Sequence, residues 1–181
     1  MDHVSNEYAS STLQQAAVLV PVCRREDGDL RVVVVRRGSR GMHGGQLGFP
    51  GGKAEPGDTS LLETALRETR EEVGLAPEDI EILEHLPVVD IVRTGFRIQP
   101  FLGRVVAPAV WRYRKGEIAG VLEPKIADLV AARGHDWVMF PEEATPRRIE
   151  FFRVGDERLW GASYRMLSPL LERLLAGAWP I

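Results

Sequence analysis

The chain has a single cysteine, Cys23, so no disulfide can form within it. At the end of an apolar run, that residue reads as a small buried hydrophobe. No apolar stretch approaches the roughly 18 residues that a membrane-spanning helix needs. The opening residues, MDHVSNEYAS, lack the charged-then-apolar order of a secretion signal. These absences lead us to expect a soluble, cytoplasmic protein with no membrane partner. A basic surplus is missing too. Lys and Arg number 23 against 26 Asp and Glu, a formal charge of −3, which argues against a nucleic-acid partner. There is no internal repeat and no low-complexity linker. With 181 residues the chain can bury one full core. We read residues 1–13 as an N-terminal tail, loose or briefly helical, and residues 14–181 as one domain. Composition leaves a homodimer open.

Two β-branched runs at 16–22 and 30–35 flank a polar stretch containing Asp27-Gly28, and this pattern predicts a hairpin. Further strands are predicted at 80–86, 88–92, 96–106 and 117–122, then a helix over 125–132. Strands at 137–140 and 149–154 and an amphipathic helix over 164–175 complete the chain. Mixed strands with a few helices predict an α/β sandwich.

Residues 49–73, FPGGKAEPGDTSLLETALRETREEV, hold the densest chemistry. Glu68, Glu71 and Glu72 are spaced i, i+3, i+4 and fall within an arc of about 100° on a helix. Leu62, Ala65, Leu66, Thr69 and Val73 centre roughly 125° away, which predicts one core face and one acid face. Lysines at i+4, which would relieve such a cluster, are lacking; the only basic neighbours are Arg67 and Arg70. A solvated acidic face is the plain reading. A hard divalent cation is the alternative, because magnesium is held by a few carboxylates together with waters and phosphate oxygens. Ahead of the helix, Phe49-Pro50 leads into Gly51-Gly52, two residues without Cβ atoms that let the backbone turn and approach a ligand. Ser60 and Glu63 can form a capping box, and Gly74 with Pro77 stops the helix.

The segment Arg67-Glu68-Thr69-Arg70-Glu71-Glu72-Val73-Gly74-Leu75 resembles the second half of the Nudix box, G-x5-E-x7-R-E-U-x-E-E-x-G-U with U a bulky apolar residue. Thr69 stands where an aliphatic residue is usual. Eight positions before Arg67 lies Thr59 in place of the family's glutamate, and the nearest carboxylate, Asp58, needs a one-residue insertion relative to Gly52. The run Arg36 to Gly52 is similar to the R-S-x-x-L-x-x-H-x-G-Q-V-x-F-P-G-G signature of the branch that cleaves coenzyme A. Arg36, His43, Gly45, Gln46 and Phe49-Pro50-Gly51-Gly52 are in register, and Arg37 and Arg40 replace the Ser and Leu. Thr94-Gly95-Phe96 with Pro100-Phe101, and residues 159–167, also look like that branch.

The resemblance implies a Nudix-type α/β/α sandwich with a mixed sheet and a diphosphatase using Mg2+, with Mn2+ also suitable. Glu68, Glu71, Glu72 and the Gly52 carbonyl would hold the metal, and Arg67 would keep the acids in place. Glu117 would bind metal or activate water, unless it is an exposed loop acid. Arg36, Arg37, Arg40, His43, Gln46, Phe49 and Gly51 would bind a small nucleotide substrate, with guanidinium suited to phosphate. Trp160 and Tyr164 read as packing residues, to which the resemblance adds a substrate wall. The implied reaction cleaves coenzyme A or its thioesters to 3',5'-ADP and a 4'-phosphopantetheine compound. Another nucleoside diphosphate compound, such as ADP-ribose, NADH or a dinucleoside polyphosphate, is the alternative substrate. A Nudix-fold sensor that binds without cleaving is the non-enzymatic reading.

Overall fold

A computed structural model describes residues 13–39, 44–140 and 143–181. The expected tail thus lies, but for Leu13, outside the described residues. The elements in chain order are β1 (Gln14–Arg24), β2 (Leu30–Val32), β3 (Val34–Arg37), β4 (Leu47–Gly48), β5 (Gly51–Lys53), α1 (Leu61–Val73), β6 (Ile80–His85), β7 (Val89–Ile91), β8 (Phe96–Val105), β9 (Ile118–Leu122), α2 (Ile126–Ala131), β10 (Arg133–Val138), β11 (Arg147–Val154), β12 (Glu157–Trp160), α3 (Gly161–Leu167) and α4 (Leu171–Leu175).

β1 is the axis of the molecule. Its residues Ala16–Cys23 are all buried, as expected of a strand covered on both faces. Along one edge it pairs in parallel with β8, from Gln14↔Phe96 to Val22↔Arg104. Its other edge is shared, antiparallel, between β5 near the N-terminal end and β2 near the C-terminal end. β6 and β7 complete this mixed six-stranded sheet by pairing with β8. Side chains alternate across β1. Val18, Val20 and Val22 enter a core with α2, β11, β12, α3 and α4, whereas Ala17, Leu19 and Cys23 pack against α1 and Ile118. The result is the expected sandwich with helices on both faces of a mixed sheet. Two three-stranded sheets, β4-β3-β9 and β10-β11-β12, flank it. No helix among the described residues is long and apolar enough to cross a membrane.

Four expectations are corrected. The hairpin holds at Val22↔Val32, Cys23↔Arg31 and Arg24↔Leu30, but from Val34 the chain leaves for the second sheet. Val33 donates to the Pro21 carbonyl at 2.8 Å, and Pro21 has no N–H with which to return the bond. The helix expected over 164–175 is two helices, because Pro169 can neither donate a helical hydrogen bond nor avoid the preceding turn. The strand expected at 137–140 runs instead from Arg133 to Val138. Its polar start, Arg-Gly-His-Asp, has little strand propensity, and Gly134 is required there because a Cβ would lie 2.8 Å from the Phe151 ring. Finally, β12 was not foreseen, although Gly155-Asp156 between two short runs is a two-residue hairpin loop with Gly155 at φ 59.

The core on the α3 side turns on Phe152, which is fully buried and meets the Tyr164 ring at 4.6 Å. Phe152→Ala should cost about 3–5 kcal/mol in denaturant unfolding. Trp137→Ala, at a residue 64% exposed, should stay within about 0.5 kcal/mol of the parent. Comparable losses at both sites would contradict this placement of the core.

Candidate active site

Capping fixes where α1 starts. Ser60, with extended backbone, accepts from the Glu63 N–H at 3.1 Å. The return half of the expected box goes one residue further upstream, where the Glu63 carboxylate accepts from the Thr59 N–H at 2.6 Å and from its hydroxyl. At the other end Gly74, at φ 71, donates to the Arg70 carbonyl at 3.0 Å.

The buried stripe of α1 differs from the predicted one. Thr64, Ala65, Thr69, Glu72 and Val73 are buried, and Leu62 and Leu66 only half so. The core and acid faces therefore overlap at Glu72, which is 2% exposed. The glycines of β5 make room for this. The Gly51 N–H donates to Glu72 Oε2 at 3.0 Å. A Cβ on Gly51, whose φ is 148, would fall 2.3 Å from the Ala17 carbonyl oxygen, and one on Gly52 would fall 2.4 Å from Glu68 Oε1. Side chains at either position would evict the strand or the acids. Burial pushes the Glu72 carboxyl up to about 7, against the pull of Arg37 and the Gly51 N–H, and repulsion from Glu68 and Glu117 adds to the rise. Burial also raises Glu68, although the Arg67 hydrogen bond opposes the shift.

Arg67 ties the acids to the loop. Its Nε donates to Asp58 Oδ1 at 2.8 Å and its Nη2 to Asp58 Oδ2 at 3.0 Å and the Lys53 carbonyl at 3.1 Å. Its Nη1 reaches Glu68 Oε1 at 3.0 Å and lies 3.6 Å from Glu71 Oε1. Asp58 also accepts from the Glu55 N–H at 2.9 Å and the Thr64 hydroxyl at 2.8 Å, and its side chain is 5% exposed. The carboxylate facing Arg67 is thus Asp58, while Thr59 is bound to Glu63. The Arg67 guanidinium and these hydrogen bonds hold the Asp58 carboxyl well below the usual carboxylate range.

Glu117 comes from a different segment and faces the same acids. Arg114 lies between them, its Nη1 3.6 Å from Glu71 Oε2 and 3.2 Å from Glu117 Oε2. The segment 106–116 that carries Arg114 is anchored at its base by Arg25. This residue donates to the carbonyls of Ala107 and Pro108 at 3.0 Å each and forks onto Glu123, which also accepts from Trp111 Nε1. Sequence reasoning missed Arg114 and this anchor, although Arg114 and Glu117 form an i, i+3 charge pair visible in the sequence.

The other expected site residues separate. Arg36 forks onto Glu157 of β12 through Nε, at 2.8 Å, and Nη2, so its guanidinium holds two sheets together instead of standing open to a phosphate. Arg37 is the arginine of the pair whose charge acts on Glu72. Phe49, expected at the substrate, is 2% exposed in the larger core, where an apolar ring is most stable. Gly51 meets Glu72 through its N–H. The Gln46 carbonyl accepts from the Arg37 N–H at 3.0 Å and fixes the start of the signature loop. Arg40 and His43 lie outside the described residues. Trp160 and Tyr164 pack against Phe140 and Phe152, as their packing reading expects.

These residues suit a hard cation. Among the described residues no three carboxylate, imidazole or thiol groups converge into an all-protein cage. Magnesium does not require one, since it usually keeps several waters and takes one or two carboxylates plus substrate oxygens. The observation that favours a cation is Glu72 itself: a carboxylate this buried, hooked by one N–H and repelled by Glu68 and Glu117, gains from an added positive charge.

Asp58→Ala should cost roughly 2–4 kcal/mol, because it strands a partly buried arginine, whereas Thr59→Ala should cost less than about 1 kcal/mol. The Asp58 contribution also has a sign in pH. Its folded-state pKa is depressed, so its stabilisation is complete above the unfolded value near 4 and fades as pH falls toward the folded value. The stability difference between the parent and Asp58→Asn, measured by urea unfolding, should be flat from about pH 8 to 5 and shrink below about pH 4. A gap that stays constant into acid would contradict the ion pair.

The chain matches the family described as NUDIX domain over residues 13–153. It is 39% identical over 120 residues to a protein of Cronobacter sakazakii named uncharacterized Nudix hydrolase NudL, covering 66% of this chain and 62% of the relative. A relative of the same name from Salmonella paratyphi B is 40% identical over 118 residues, covering 63% and 58%. The chain therefore spans about six tenths of the length of these relatives. Among solved structures, the Nudix hydrolase RenU of M. smegmatis superposes with a TM-score of 0.61 at 13% identity, covering 93% of this chain and 88% of that one. The NUDIX domain of Shewanella oneidensis NrtR, complexed with ADP ribose, superposes at 0.51 with 22% identity, covering 66% and 77%. Taken with the box helix and its two glycines, the match places this chain in the Nudix family.

Proposed function

We propose that this protein is a divalent-cation-dependent hydrolase of the diphosphate bond in coenzyme A or its thioesters. The observation that carries the hydrolase reading is the burial of Glu72 against Gly51 with Glu68 and Glu117 close enough to repel it. The signature run from Arg36 to Gly52 supports coenzyme A as the substrate.

Glu68, Glu71 and Glu72, with the Gly52 carbonyl, would hold Mg2+ or Mn2+. When bound, the cation neutralises charge on the diphosphate and makes a coordinated water more acidic. The Gly51 N–H fixes one oxygen of Glu72. Arg67, held by Asp58, keeps Glu68 from turning away. Glu117, on its own segment, is the group we assign to accept a proton from the attacking water. Water adds to phosphorus, the bridging P–O bond breaks, and coenzyme A yields 3',5'-ADP and 4'-phosphopantetheine. With Arg36 committed to Glu157, Arg37, whose charge acts on Glu72, is the described arginine of the signature run that we assign to substrate phosphate.

The deciding experiment incubates the purified protein with CoA, acetyl-CoA, ADP-ribose, NADH and dinucleoside polyphosphates under Mg2+ or Mn2+ and separates the products. CoA should be cleaved with the highest kcat/KM, and faster than 3'-dephospho-CoA; preference for ADP-ribose would overturn the substrate assignment. Glu71→Gln and Glu72→Gln should each reduce turnover at least about a hundredfold with little change in Tm, and EDTA should abolish it. Near-parental rates in both variants, or turnover in saturating EDTA, would remove the cation from the account.

A further inference from the structure

The acid cluster meets two arginines held in opposite ways. Arg67 is locked: a fork onto Asp58, a carbonyl and Glu68 use its whole guanidinium edge. Arg114 is loosely held. Its side chain is 59% exposed, and its contacts to Glu71 and Glu117 are both made through Nη1, at 3.6 and 3.2 Å, without a fork. Those two carboxylates are themselves exposed to similar degrees, 43% and 46%, so nothing seals the bridge from water or ions. Exposed single-point contacts of this kind are weak.

The backbone of the same residue is fixed. Arg114 N–H donates to the Glu72 carbonyl at 3.0 Å, and its own carbonyl accepts from Glu117 and Ile118 at 3.2 and 2.9 Å. The base of its segment is anchored by Arg25, Glu123 and Trp111. An exposed, singly contacted guanidinium on an anchored backbone therefore stands beside the acids.

We propose that Arg114 is the resident counter-ion of the site: a divalent cation bound at Glu71 displaces it, which frees Glu117 as well, and Arg114 then binds the diphosphate. This rests on the hydrolase reading above. A divalent cation carries twice the charge of a guanidinium and binds carboxylate oxygens directly, so it wins the competition. Once released, the side chain remains tethered beside the same acids, where the incoming ligand is an anion, and guanidinium is well matched to phosphate oxygens. Arg114 thus exchanges a carboxylate partner for a phosphate partner as the site fills.

The two halves of the exchange predict effects of opposite sign. Without substrate, Arg114→Ala should tighten Mn2+ binding, followed by the EPR signal of free Mn2+, by roughly three- to tenfold, since a competitor has been removed. At saturating Mn2+ the same variant should lose at least about tenfold in kcat/KM for CoA, with ADP-ribose run alongside. Arg112→Ala, which removes an equal charge two residues away, should show neither effect in full. Arg114→Gln serves as the second variant, and Tm and circular dichroism check the fold of each. Unchanged or weaker Mn2+ binding in both Arg114 variants, equal tightening in Arg112→Ala, or full kcat/KM at saturating Mn2+ would overturn the proposal. If Glu72→Gln abolishes Mn2+ binding while the Arg114 variants bind as the parent does, only the role of Arg114 falls. A parent protein that binds no Mn2+ overturns both readings.

Discussion

The Asp58–Arg67 fork is the interaction on which the rest of the site depends, because it fixes a cation amid carboxylates that would otherwise drive one another apart. Asp58 is itself held by the Glu55 N–H and the Thr64 hydroxyl, so the fork is braced from the loop and from the helix. From that point Arg67 reaches Glu68 and approaches Glu71, both on its own helix. The loop between β5 and α1, the start of α1 and two of the three box acids are thereby joined by one guanidinium. Such a pair is strong because its members are partly withdrawn from water and each donor has an acceptor.

The third acid depends on a different support. Glu72 enters the core side of α1 because the two glycines of β5 leave space, and β5 stays where it is because it pairs with β1, whose centre is buried. The sheet register Ala17↔Gly52 and Val18↔Gly51 therefore sets the position of the Glu72 carboxylate. The fold supplies one N–H to this buried carboxylate, and on the function proposed above a cation would satisfy the remaining deficit.

Local signals were legible in the sequence, and interactions between distant segments were not. The Ser60 cap, the Gly74 stop, the Asp27-Gly28 turn and the acid spacing all depend on neighbours within a turn of chain, and they appear as expected. The helical wheel misjudged Glu72 and Leu66, since a wheel ranks side chains by polarity and cannot see two glycines on an adjacent strand. Arg36 looked like a phosphate ligand because its partner, Glu157, is 121 positions away in the sequence. Phe49 lay in a motif dense with site residues, and only the assembled core shows that its ring points inward. Asp58 could be suspected from the box but not preferred over Thr59 until their partners, Arg67 and Glu63, were in place.

The central claim is that Glu72 carries a charge the fold leaves incompletely compensated and a divalent cation completes. NMR titration of its side-chain carboxyl carbon, in protein labelled at glutamate and assigned with Glu72→Gln, measures this directly. Without divalent cations the midpoint should lie near 7, where burial places it. With saturating Mg2+ it should fall below the ordinary glutamate value of about 4.3, because a bound cation favours the ionised form. The same midpoint with and without Mg2+ would contradict the account.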